Sequence, residues 1–217
     1  MEAILAWLAL KLCTTHCALP PLGNSLPFVR VAPTGASGIF ELLNDRSEQE
    51  GFHEALNLGW RAVAGEDVED EASEAVEELV AELYEDEEDD PHSQGFYSSQ
   101  IAMLAVNTLS VYLNPAPQQA EMSGQTLETL LSDFDLTLNG GGTVVTRYGD
   151  APRPAGELQH LEQEAQASFA GTLIDGAGHR LTPTAIEELR ASCFSFRASI
   201  ADHLQAVAET KNWEVPS

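Results

Sequence analysis

The chain has 217 residues and carries 35 acidic residues against 10 lysines and arginines, so its formal net charge is −25. With 43% apolar residues it can form a hydrophobic core, and neither a disordered chain nor a collagen-like chain fits this composition. Binding to bare nucleic acid or to an anionic membrane requires clustered basic residues, so the charge argues against both.

Three cysteines are a sparse and odd set, unlike that of a secreted domain held by disulfides, and they favour a reducing cytoplasm. The first 18 residues are largely apolar. However, Glu2 stands where a signal peptide has positive charges, and Lys11 interrupts the apolar run. The run is also shorter than the roughly 20 residues that a membrane span needs. We therefore expect residues 1–18 to form a buried N-terminal helix of a cytoplasmic protein.

The rest of the chain divides into a connector and a helical domain. Prolines and glycines over residues 19–37 prevent a long helix, which predicts a connector ahead of an acidic helical domain over 38–211. Apolar residues at helical spacing then predict a series of helices. These helices cover residues 47–64, 68–84, 97–113, 125–134, 157–174 and 183–211.

Local signals support several of these helix ends. Ser47 and Glu50 have the spacing of a capping box, and Gly65 can close the same helix. Glycines begin an irregular segment near 139–150, whose β-branched part over 143–148 suggests an isolated strand or an extended loop. The fold prediction is therefore all-α: a single-domain bundle of about six helices with a Pro-rich N-terminal connector and one Gly-rich irregular segment.

The acidic residues are concentrated in one part of the chain. No Lys or Arg occurs between Arg61 and Arg147, whereas that interval holds 19 acids, 15 of them from Glu66 to Asp90. The helix over 68–84 is predicted to turn an apolar stripe inward and its acids outward. Such a face either keeps the protein soluble or meets a cationic surface of another protein. The candidate interaction residues are Glu74, Glu77, Glu78, Glu82, Glu85, Asp86 and Glu87.

This charge segregation favours a non-catalytic protein-binding module over an enzyme. A small acidic protein can occupy the phosphate-binding groove of a nuclease, a toxin or another nucleic-acid-binding protein, acting as an inhibitor, an immunity-type protein or a DNA mimic. We expect a basic protein partner, no direct contact with nucleic acid or membrane, and no cofactor. The acids over 85–90 lack the alternating ligands and central glycine of an EF-hand loop, which leaves only weak Ca²⁺ or Mg²⁺ association. An oligomeric structural or scaffold component is a further alternative.

One segment suggests an enzyme instead. Residues 130–138 read LLSDFDLTL, which resembles the first motif of haloacid-dehalogenase-type phosphotransferases, an apolar run followed by Asp-x-Asp-x-Thr. The resemblance implies a Mg²⁺-dependent phosphohydrolase with Asp133 as nucleophile and Asp135 as general acid and base. That chemistry also needs a downstream cation, and the only later lysine is Lys211. The alternative interpretation is a helix end with both aspartates in water.

A metal site near the N-terminus is a second alternative. Cys13, His16 and Cys17 place three soft ligands within about one helical turn, and Cys193 could supply a fourth. Structural zinc sites, however, use paired Cys-x-x-Cys or His-x₃-His spacings with a clear second pair, and neither occurs in this sequence. We therefore expect buried structural thiols and no metal.

Several segments in order resemble one bacterial family. They are ALNLGW at 55–60, the acidic amphipathic helix, the Ala- and Leu-rich helix from Tyr97, ELQHLEQE at 157–164 and LTPTAIEELR at 181–190. Over about residues 38–190 the chain resembles the YjaG-like group, small acidic all-helical proteins without an assigned activity, whose plan some proposed immunity proteins share. It departs from that pattern over 136–150. The resemblance implies a helical fold and transfers no catalytic residue.

Overall fold

The computed structural model describes residues 36–85, 90, 92–115, 117–141, 154–175 and 181–216. Seven helices and no strand occur in this part of the chain, which confirms the predicted all-α fold there. They are α1 (36–43), α2 (Arg46–Ala64), α3 (Glu69–Glu85), α4 (Gln94–Leu113), α5 (Pro117–Leu138), α6 (Glu157–Asp175) and α7 (Pro183–Lys211). The predicted helix over 1–18, most of the connector and the possible strand over 143–148 lie outside the described residues.

Helix α4 lies at the centre of the bundle. It packs against α2, α3 and α5, and its buried residues, such as Tyr97, Leu104 and Leu109, face more than one side. Apolar residues lie on most sides of α4, which explains why it can be buried against several helices at once. On the other side of α5, α6 packs against both α5 and α7. A smaller apolar cluster joins α2, α6 and α7 through Trp60, Phe169 and neighbouring residues.

Helix α1 was missed by the sequence analysis, which began the helices at residue 47. Ala36, Ile39, Phe40 and Leu43 are buried at helical spacing, and the ring of Phe40 stacks on that of Phe52 at 4.2 Å between centroids. The apolar period was therefore present in the sequence. It was overlooked because the segment is short and directly follows the prolines of the connector.

The N-terminal cap of α2 also differs from the prediction. Asp45, not Ser47, is the capping residue: its Oδ1 accepts hydrogen bonds from the backbone nitrogens of Ser47 at 2.8 Å and Glu48 at 3.2 Å. Glu48 completes the capping box by accepting from the Asp45 nitrogen at 2.8 Å. Two possible capping sequences overlap here. The Asp45 carboxylate is the cap because it is charged and accepts hydrogen bonds from two backbone nitrogens at once.

Helix α5 is much longer than the predicted range of 125–134. It begins at Pro117, which needs no hydrogen-bond acceptor in the first turn, and it ends at Leu138. Gly140 and Gly141 have φ values of +95° and +66°, a left-handed conformation that favours glycine. The Gly-rich segment thus ends the helix as predicted, but Asp133 and Asp135 lie inside α5, not at its end in water.

Candidate functional site

The outer side of α3 carries a group of exposed carboxylates, and this helix packs against α2 and α4. Ala72 and Leu79 are buried, and Val76 and Val80 are partly buried against the core. The opposite side exposes four carboxylates, Glu74, Glu77, Glu78 and Glu82, which we call the acidic face. The predicted orientation of this helix, with apolar residues inward and acids outward, is confirmed.

Among the described residues, the carboxylates of the acidic face have like-charged neighbours and no cationic partner. Glu74 lies three and four residues before Glu77 and Glu78, spacings that place side chains side by side on a helix. Within the described residues, no Lys, Arg or His pairs with any of the four. The cation that does contact α3 there is Arg61, whose guanidinium pairs at 2.8 Å with Glu71, near the start of the helix, and also with Glu66. The negative potential of the acidic face is therefore left uncompensated by the described residues.

Neutralising the acidic face should stabilise the isolated protein at low salt. We define the acidic-face variant as Glu74→Gln, Glu77→Gln, Glu78→Gln and Glu82→Gln. Removing several like-charge pairs, each unfavourable by a few tenths of a kcal/mol, should raise the free energy of unfolding by about 1 kcal/mol. Urea unfolding at low and at high salt measures this effect, and the gain should shrink at high salt because salt screens exposed charges.

A control variant separates this local repulsion from total charge. It removes four exposed carboxylates elsewhere: Glu54→Gln, Glu188→Gln, Asp202→Asn and Glu214→Gln. Both variants change the net charge equally, but the control sites are not spaced as neighbours of one another on a helix. Equal stabilisation by the two variants would show that repulsion is not concentrated on α3.

The other predicted interaction residues continue from the end of α3. Glu85 is the last residue of the helix, and its side chain is outside the described set, as are Asp86 and Glu87. The acidic run reappears at Asp90, whose Oδ1 accepts a hydrogen bond from the His92 nitrogen at 3.0 Å. The described part of the predicted interaction surface is thus the acidic face itself.

Asp133, the first residue of the enzyme alternative, belongs to a cluster at one end of the bundle. Its Oδ2 accepts hydrogen bonds from the Tyr97 hydroxyl and from Lys211 Nζ, the latter at 3.2 Å. Lys211 Nζ also donates to Tyr97 Oη at 2.9 Å and lies over the rings of Tyr97 and Trp213. Burial, with the hydrogen bond to Asp133, raises the pKa of Tyr97 well above its usual value, so this hydroxyl stays a proton donor. Lys211, the downstream cation of the enzyme alternative, therefore does contact Asp133, but the two form an internal salt bridge.

Asp135 has a different role. It is buried, and its two carboxylate oxygens accept hydrogen bonds from the backbone nitrogens of Leu158 and Gln159, each at 3.0 Å, at the start of α6. It therefore caps α6 from a neighbouring helix. The structure does not bring Asp133 and Asp135 together: one binds groups of α4 and α7, and the other binds α6. No group of three metal-ligating side chains forms among the residues that the structure covers.

Of the four possible metal ligands predicted from the sequence, the structure describes one. Cys13, His16 and Cys17 lie outside the described residues, whereas Cys193 is buried in the apolar cluster of α2, α6 and α7. Burial raises the pKa of its thiol to about 12, which keeps it protonated and unreactive. Cys193 is thus buried, as the sequence predicts.

One buried acid was overlooked in the sequence. Glu162 of α6 is only 2% exposed, and its Oε2 has no hydrogen-bond partner among the described residues. Its position, four residues after Leu158 and seven before Phe169, places it in the apolar stripe of the helix. That placement was the available signal. It was missed because the stripe could be drawn through Leu161, which is only partly buried.

Within the described ranges, no helix is both long enough and apolar enough to span a bilayer. Comparison with known protein families, curated proteins and solved structures finds no match to this chain. Function is therefore inferred from the chain's own residues, among which the acidic face of α3 presents four exposed carboxylates without a cationic partner in the described part of the chain.

Proposed function

We propose that this protein is a non-catalytic binding module whose acidic face docks on a basic surface of a partner protein. The observation that carries the proposal is the row of four exposed carboxylates on α3 without a cationic partner in the described structure. Opposite charge accelerates the encounter of two proteins, and like charge rejects wrong partners. A face of this kind is selective for a surface rich in arginine and lysine.

The partner chemistry that fits is a phosphate-binding groove. Such grooves are lined by basic side chains that would otherwise neutralise nucleic acid, and an acidic helix can take the place of that ligand. We therefore propose an inhibitor or immunity-type role against a nuclease, a toxin or another nucleic-acid-binding protein. Its proposed location is the cytoplasm, where sparse cysteines stay reduced.

Two observations support binding through charge over the alternatives. Asp133 and Asp135 are each engaged by internal partners on different helices, as a structural role requires and a shared phosphate site does not. The large apolar side chains that are exposed among the described residues are Met103 on α4, Met122 on α5, Phe194 on α7 and Val215 after α7, with no two on the same helix. That distribution does not favour an apolar oligomer interface.

Affinity capture with matched baits tests the proposal. The wild-type chain, the acidic-face variant and the control variant are each immobilised and exposed to native lysate at low and at high salt, and bound proteins are quantified by mass spectrometry. We expect a basic protein that binds the wild type and the control variant at low salt. It should be reduced at least about tenfold on the acidic-face variant, because losing several charge contacts amounts to more than 1.4 kcal/mol.

The same experiment can reject the proposal. Capture that is equal on the acidic-face variant and the wild type, or that is insensitive to salt, would show that these carboxylates do not form the interface. A partner lost from both variants would indicate attraction by total charge and not by α3.

A further inference from the structure

Glu162 is a buried carboxyl group in which only one of the two oxygens has a hydrogen-bond partner among the described residues. Gln166, one turn later on α6, donates a hydrogen bond to Oε1, whereas Oε2 is buried without a partner among the described residues. An unpaired carboxylate oxygen away from water is strongly unfavourable, but a protonated carboxyl carries no charge to solvate. The geometry of Glu162 therefore fits the neutral acid better than the anion.

The charged groups that the structure describes around Glu162 include no cation. From α5, the facing group is Glu128, another acid, whose Oε1 accepts a hydrogen bond from Gln163 Nε2 at 3.2 Å. From α7, His203 is directed to Glu157, one turn nearer the start of α6, at 3.5 Å. The α7 arginines are also engaged elsewhere, since Arg190 pairs with Glu187 and lies over the Trp60 ring, and Arg197 pairs with Glu41 of α1. No described cation contacts Glu162.

We propose that Glu162 is a proton-dependent lock on α6. The neutral side chain packs between α5 and α7, and loss of its proton leaves a buried anion beside Glu128 that loosens α6 from the bundle. Asp135 holds the first turn of this helix through the backbone nitrogens of Leu158 and Gln159, so the loosening should be greatest beyond that turn. This inference is independent of the acidic face and of the proposed function.

The direction of the pH dependence follows from the pKa of Glu162. Burial, opposed by the Gln166 hydrogen bond and assisted by the charge of Glu128, raises this pKa from 4.5 to about 7. Between pH 4.5 and about pH 7, Glu162 is protonated when α6 is packed and ionised when α6 is open. Packing of α6 therefore weakens as pH rises through this range and is weakest above about pH 7. Opening of α6 should therefore increase roughly 30-fold between about pH 5.5 and about pH 8.

Hydrogen exchange of the full chain measures this opening directly. Exchange is followed by mass spectrometry across the pH range and corrected for intrinsic rates, which gives a protection factor for each segment. In the wild type, protection of α6 should fall by roughly 30-fold while that of α4 changes much less. In Glu162→Gln, which keeps the shape without the charge, protection of α6 should not depend on pH in this range.

Two further variants make the test decisive. Glu128→Gln removes the like charge and should move the midpoint of the pH dependence of α6 protection to lower pH. This variant tests the proposal on its own if Glu162→Gln does not fold. Glu188→Gln, at an exposed site on the neighbouring helix α7, should leave the wild-type profile unchanged. The proposal is overturned if α6 protection in the wild type is independent of pH, if the dependence survives Glu162→Gln, or if all helices lose protection together.

Discussion

Replacing Gly156 with alanine should destabilise the bundle by about 3 kcal/mol. A Cβ atom at this position would lie 2.5 Å from Asp135 Cβ and closer still to its Cγ and Oδ2. Asp135 cannot move away without losing its hydrogen bonds to the nitrogens of Leu158 and Gln159. The substitution therefore combines overpacking with the loss of a charged cap on α6.

Gly51→Ala is the matched control for this substitution. Gly51 lies on the exposed side of α2, and a Cβ atom there would meet nothing within 4 Å. Because alanine has the higher helix propensity, this variant should gain about 0.5–1 kcal/mol. Urea unfolding of both variants measures the contrast. A double-mutant cycle with Asp135→Gly, which removes every clashing side-chain atom, should show strong coupling to Gly156→Ala, and additive effects would refute the proposed clash.

Replacing Lys211 with methionine should cost about 2 kcal/mol. The lysine side chain is only 14% exposed, and its Nζ donates to both Asp133 Oδ2 and Tyr97 Oη. Methionine retains the apolar stem over the Tyr97 and Trp213 rings but leaves the carboxylate without its cation. The effect is expected because a partly buried charge is unfavourable when its partner is removed.

Unfolding experiments on two cation-to-methionine variants isolate this cluster. Arg46→Met is the control, because Arg46 is exposed on α2 and forms no ion pair with the described residues. It should change the free energy of unfolding by less than about 0.5 kcal/mol. Lys211→Arg, which keeps the charge, should fall between Lys211→Met and the wild type. If Lys211→Met is as stable as Arg46→Met, the salt bridge contributes nothing measurable.

Features encoded by neighbouring residues could be predicted from the sequence. The inward stripe and acidic outer side of α3 follow from a period of 3.6 residues. The start of α7 follows from Thr182, whose hydroxyl accepts from the Ala185 nitrogen at 3.2 Å, and from Pro183 at the first helical position. In both cases the physical cause lies within one or two turns of the residue concerned.

Features that depend on distant residues could not be predicted in this way. Asp135 looks like part of a catalytic motif until α6 is seen to place two backbone donors beside it, 23 and 24 residues later in the chain. Lys211 meets Asp133 across 78 residues, and the environment of Glu162 depends on Glu128 of another helix. A motif of two aspartates therefore suggested chemistry where tertiary contacts supply structure.

Zero-length cross-linking with a carbodiimide tests the docking claim most directly, because it joins a carboxylate to a lysine only where the two are in contact. The wild-type chain is cross-linked to the partner recovered by affinity capture, and the joined peptides are identified by mass spectrometry. We expect cross-links from Glu74, Glu77, Glu78 and Glu82 to partner lysines, lost at high salt. Cross-links that instead come mainly from Glu54, Glu188, Asp202 or Glu214, or that are spread evenly over the surface, would contradict a docking role for α3.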